Sequence, residues 1–117
     1  YRGASSNTGD YGASSNTGYR GASSNTGDYG ASSNTGNYGA AFNNGYEGTS
    51  STSGKNSSAV AVGFGGKVKG TLGSDLHLTE RDRDGKALHT WSGIVGDEGI
   101  KEDTWYTLKG GKLTEVQ

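Results

Sequence analysis

The chain has no cysteine, no proline and no methionine among its 117 residues. Without cysteine there are no disulfides and no thiolate metal sites, and the redox compartment stays open. Without proline, and with glycine off any three-residue spacing, a collagen-type helix is excluded. An excess of one charge is also lacking: 11 Lys and Arg stand against 12 Asp and Glu, a formal net charge of −1. No basic stripe is available for a nucleic-acid backbone, so that partner is not expected. No apolar run approaches a membrane span and no segment reads as a signal peptide, so membrane insertion is not expected either. Apolar residues make up only 28% of the chain, below the usual globular share. A first residue other than methionine suggests a fragment or a processed product.

What the chain does hold is glycine, 23 residues of it, and a nine-residue period. Four near-identical units span 1–9, 10–18, 19–27 and 28–36, and three diverged units span 37–45, 46–54 and 55–63. Gly9, Gly18, Gly27, Gly36, Gly45, Gly54 and Gly63 mark the period, and a second glycine series runs from Gly3 to Gly48. By composition this half has too little apolar surface to offset chain entropy. A fixed short period points instead to a solenoid. Two glycines per unit supply two places for the backbone to turn with positive φ. Tyr1 and Tyr19 open their units, whereas Tyr11 and Tyr29 stand second. The true period is therefore eighteen, two units per coil, with identical side chains stacked in ladders. Each Ala-Ser-Ser-Asn stretch is one short strand, with Ala4 and Ser6 on one side and Ser5 and Asn7 on the other. With alanine as the buried apolar residue, the gain per coil is small at ~25 cal/mol per Å². Ladder hydrogen bonds and tyrosine packing must carry the coil, and association of several chains would cover its edges and tyrosines.

Composition shifts near Gly70. Leu76, Leu78, Leu88, Trp91, Ile94, Val95, Ile100, Trp105, Leu108, Leu113 and Val116 add apolar bulk. The alternation predicts a strand over 75–81, a turn at Asp82-Arg83-Asp84-Gly85, a return strand over 87–95, and a hairpin of 104–109 with 112–116 around Gly110-Gly111. The chain reads as all-β: a nonapeptide-repeat β-solenoid or β-roll over 1–70, and a small antiparallel β cap or tip domain over 71–117.

Candidate chemistry is sparse. Asp10 and Asp28 occupy turns, as in calcium-binding nonapeptide rolls, but the other units lack the aspartate, so a plain turn is preferred. Asp82-Arg83-Asp84-Gly85 lacks the later ligands of a calcium loop. His77 and His89, with Glu80, fall short of a metal set, and paired surface histidines are preferred. The carboxylates Glu80, Asp82, Asp84, Asp97, Glu98, Glu102 and Asp103 are read as loop charges. A hydroxyl array from the Ser-Asn-Thr series, and a sequon at Asn56-Ser57-Ser58, are patterns only. No metal, cofactor or catalytic constellation is expected. Trp91, Trp105 and Tyr106 are candidates for a sugar-stacking platform, although tryptophans in so small a region are more often core.

The segment Asn56-Ser57-Ser58-Ala59-Val60-Ala61-Val62-Gly63, with Lys67-Val68-Lys69-Gly70, resembles the Ser-x-Ala-x-Gly head repeats of trimeric autotransporter adhesins. That resemblance implies left-handed parallel β-rolls packed as trimers, while the shorter period here leaves coil shape and handedness open. The Ser-Asn-Thr-Gly-Asp-Tyr-Gly-Ala arrays and the Trp-Tyr ending are similar to tail-fibre-like repeat proteins of phages and prophages. Together these imply a non-enzymatic shaft and tip on a virion tail, or an adhesin at the cell surface. The module would be a homotrimer that touches a glycan or protein. A self-assembling extracellular filament subunit is the alternative.

Overall fold

The computed structural model describes residues 4–7, 9–16, 21–97 and 99–116, and over these the chain is all β. Tyr1, Gly18 and Tyr19 lie outside the described residues. One sheet contains β1 (Ala4–Asn7), β3 (Ala22–Asn25), β5 (Ala40–Asn43), β7 (Ser58–Ala61) and β9 (Asp75–Arg81), and ends at β10 (Ala87–Ile94). The other contains β2 (Ala13–Asn16), β4 (Ala31–Asn34), β6 (Thr49–Thr52) and β8 (Lys67–Lys69), then β11 (Tyr106–Lys109) and β12 (Lys112–Glu115). Consecutive repeat strands alternate between sheets, so each coil uses two units. The result is a β-solenoid of about four turns with a small antiparallel region after it. The eighteen-residue period is literal: Ala4 pairs with Ala22, Ala22 with Ala40, and Ala40 with Ser58, all parallel. The offset drops to 17 between Ser58 and Asp75, where the last corner is a residue shorter.

The side that faces inward is the opposite of a buried-alanine coil. Ser23, Asn25, Ser32 and Asn34 are buried, while Ala22 and Ala31 are exposed. The reason is hydrogen bonding. Asn34 donates from Nδ2 to the carbonyls of Gly21 (3.0 Å) and Ala40 (3.3 Å), and its Oδ1 accepts the Gly36 amide (2.8 Å). Asn25 and Asn43 repeat the pattern. One side chain thus satisfies backbone groups in the previous coil, its own corner and the next strand, which alanine cannot do. The serines bridge the two sheets: Ser32 Oγ donates to the Ser23 carbonyl at 2.8 Å, and Ser23 Oγ to that of Ser14 at 2.8 Å.

The repeat glycines serve close approach, not positive φ. Left-handed backbone falls instead on Tyr11, Tyr29, Tyr38, Glu47 and Asn56, with φ between 48° and 60°. A Cβ on Gly27 would lie 2.0 Å from the Gly9 carbonyl oxygen one coil earlier, and one on Gly54 equally close to that of Gly36. A Cβ on Gly39 would strike the Asn34 side chain at 2.5 Å. One glycine series therefore lets corners stack, and the other leaves room for asparagine. The turns join the ladder too: the Tyr11 amide donates to Asp28 O at 2.8 Å, and that of Tyr29 to Tyr46 O at 2.7 Å.

Toward the C-terminus the interior turns apolar. Ala41, Ala59, Ala61, Val68, Leu76 and Leu78 replace serine and asparagine in the same columns. Val95, Ile100, Tyr106 and Leu108 complete this core, with Trp91 and Leu113 packed against it. Ile94 is exposed because it alternates with the core-packed Trp91 along β10, and Leu88 because it falls at the bulge between Ala87 and His89.

Candidate functional site

The corners that lead from the first sheet to the second carry an aromatic ridge. Tyr11 and Tyr29 stack with centroids 5.1 Å apart, Tyr29 meets Tyr46 edge-on at 5.5 Å, and Tyr46 stacks on Phe64 at 5.3 Å. The coil repeat sets this spacing, since neighbouring rungs of a sheet lie about 4.8 Å apart. Midway the ring changes slot. Tyr11 and Tyr29 occupy the left-handed position of the turn, whereas Tyr46 and Phe64 precede Glu47 and Gly65 in that position. The ridge continues despite the change.

These rings pack on one another rather than into the coil. Tyr11 is 76% exposed and Tyr46 42%. Faces are shared within the stack, so edges and hydroxyls are what the ridge presents outward. Tyr29 stays 46% exposed, but partial desolvation between its neighbours, then the nearby Tyr46, Glu47, Tyr11 and Asp28, hold its phenol above the usual range. At the C-terminal end, Tyr46, Phe64 and Arg83 frame a recess of about 370 Å³. Phe64 and Arg83 were not legible as members of a surface, although Phe64 stands eighteen residues after Tyr46.

Of the three platform candidates, Tyr106 is buried and Trp91 and Trp105 are half-buried. Tyr106 is 4% exposed, and its hydroxyl accepts the Lys101 amide at 2.8 Å. Trp105 is half-buried under Lys69, whose Nζ lies 4.8 Å from the ring centroid. Trp91 leans over Gly93 beside a trough of about 610 Å³.

The histidines fall on opposite faces of the β9–β10 hairpin. His77 Nε2 bonds Asp75 at 2.6 Å, and Asp75 also accepts the Ser58 hydroxyl at 2.7 Å. His89 Nδ1 bonds Glu80 at 2.8 Å. Glu80 further accepts the amides of Gly110 (2.7 Å) and Gly111 (2.9 Å), which tie the β11–β12 turn to β9. Those two amides, then His89, hold its carboxyl below the ordinary range. Asp82 is engaged by the amides of Asp84 and Lys86, as a turn aspartate. Among the described residues, no three His, Asp or Glu side chains gather to hold a metal. Nor is there among them a helix long and apolar enough to cross a membrane.

No protein-family model matches the chain, and neither a curated protein nor a solved structure matches it.

Proposed function

We propose that the chain is a structural and adhesive module rather than an enzyme: the shaft and tip of a phage tail fibre or bacterial surface adhesin, working at the virion tail or cell surface. The observation that carries this reading is the continuous ring ridge from Tyr11 to Phe64, its tyrosines exposed, held in register by the solenoid. Such a ridge offers apolar edges and hydroxyls at a fixed spacing, which suits weak repeated contact with a surface glycan or protein. Assembly as a homotrimer would multiply that contact without a strong single site.

Binding of fluorescent protein to glycan arrays and to whole bacterial cells tests the reading. Tyr29→Ser with Tyr46→Ser is expected to abolish binding and leave the coil folded. Retention by this variant, or no binding by the unaltered chain to any surface, overturns it. Light scattering at micromolar concentration tests the trimer separately.

A further inference from the structure

β10 ends its sheet and runs for eight residues, twice the length of a coil strand. It contains no Lys, Arg, Asp, Glu or Pro, so the residues that usually blunt an edge are missing. The direction of its backbone follows from the next residue. Val95 donates to Ser74 O (2.9 Å) and accepts the Gly73 amide (3.1 Å), both just before β9. By antiparallel alternation, Trp91 and Gly93 also turn toward β9, and Thr90, Ser92 and Ile94 turn their backbone groups outward. All three of these are exposed. Alongside runs the trough lined by Trp91, Gly93, Ile94 and Ile100.

We infer that this edge pairs antiparallel with the same edge of a second copy of the chain, about a two-fold axis through Ser92. That register sets Ser92 opposite Ser92, Thr90 opposite Ile94, and Trp91 opposite Gly93. The Ile94 carbonyl already accepts the Asp97 amide at 3.0 Å. About four backbone bonds then remain to be made, two at the axis and one on each side. Trp91 and Gly93 then form a close, non-bonded pair, with each Trp91 ring already lying over Gly93 of its own strand. The neighbouring registers set Trp91 directly opposite Trp91, or Gly93 opposite Gly93. No like charges meet along the pair.

This pairing does not depend on the adhesive reading. A two-fold contact cannot close a ring of three, so lateral trimers joined through β10 would contain six chains.

Light scattering after size exclusion, over a range of concentrations, tests the edge. The unaltered chain is expected at an even multiple of the chain mass. Ser92→Pro removes an outward amide that the β9 ladder does not use. Thr90→Lys with Ile94→Lys sets like charges opposite each other, and Thr90→Glu with Ile94→Lys sets opposite ones. The first two are expected to halve the mass, with dissociation constants raised about tenfold or more, and the third to keep it. An unaltered chain at one or three chain masses, or an undiminished mass for the lysine pair, overturns the proposal. Should Ser92→Pro lose its β signal in circular dichroism, the lysine pair, which changes side chains alone, decides.

Discussion

The front coils and the C-terminal coils share one backbone and differ in what fills it. From β2 to β5 the interior is mostly serine and asparagine, tied to backbone on neighbouring strands. From β7 onward the same columns hold Ala59, Ala61, Val68, Leu76 and Leu78. The two fillings stabilise by different means. A buried amide gains only about 0.5–1.5 kcal/mol net per hydrogen bond, but an unmade bond costs more than a made one gains. Apolar filling adds stability with area and tolerates imperfect fit better. A polar interior therefore specifies register tightly while adding little stability, and an apolar one does the reverse. The arrangement puts register in the shaft and stability at the end.

The sharpest way to break the front is at a stacked corner. A Cβ on Gly45 would lie 2.1 Å from the Gly27 carbonyl oxygen, and backbone cannot yield there. Gly45→Ala is expected to cost more than the ~4–5 kcal/mol that marks an exceptional substitution, seen as loss of β signal in circular dichroism. An unchanged melting temperature for this variant would mean that the coils are not stacked this closely.

Next comes a direct comparison of the two fillings by urea unfolding. Leu76→Ala empties a fully buried site and should cost ~2–5 kcal/mol. Asn34→Ala strands the Gly36 amide and removes one bond each from the Gly21 and Ala40 carbonyls, of which Gly21 keeps the Ala40 amide, and should cost about 2–4 kcal/mol. A cost below ~1 kcal/mol for Asn34→Ala would leave the asparagine ladder without an energetic role.

The junction between the fillings supplies a prediction of opposite sign. Thr52 stands in the asparagine column, and its hydroxyl is buried with no partner among the described residues. It is long enough to be polar and too short to reach the carbonyls that asparagine bonds. Thr52→Val keeps the shape and removes the unsatisfied oxygen, so a gain of about 1 kcal/mol is expected in the same unfolding experiment. A loss of stability would indicate that the hydroxyl has a partner.

Much of this was legible in the residues. The eighteen-residue pairing follows from the alternating unit openings, and β9 from the alternation of Leu76 and Leu78. The inward face was not, because Ser/Asn and Ala/Ser alternate with the same period. Hydropathy favours alanine inside, and only the corner geometry shows that asparagine has three backbone partners to meet. Positive φ on Tyr11 and Tyr29 was hidden for a related reason: glycine is the residue normally read that way, and here it is needed for contact between coils. The ridge was half visible, since the tyrosines recur but Phe64 takes over in a different slot.

The smallest expected effect concerns how the two ends of the sheets are held together. Glu80 on β9 is gripped first by the Gly110 and Gly111 amides and then by His89. Its carboxyl is held below the usual range. A carboxyl lowered by folding favours the folded state above its unfolded pKa, and that contribution is lost as pH falls through the lowered value. Protonation would weaken the grip on the β11–β12 turn while the coil, whose buried ladders are neutral, stays intact. Hydrogen exchange at the Gly110 and Gly111 amides should therefore speed up in acid beyond its intrinsic pH dependence, before the Asn34-bound Gly36 amide changes. Glu80→Gln, which never carries the charge, should exchange faster at neutral pH and show no acid step. Parallel profiles for the two chains would mean that the turn is held by β11 and β8 pairing alone.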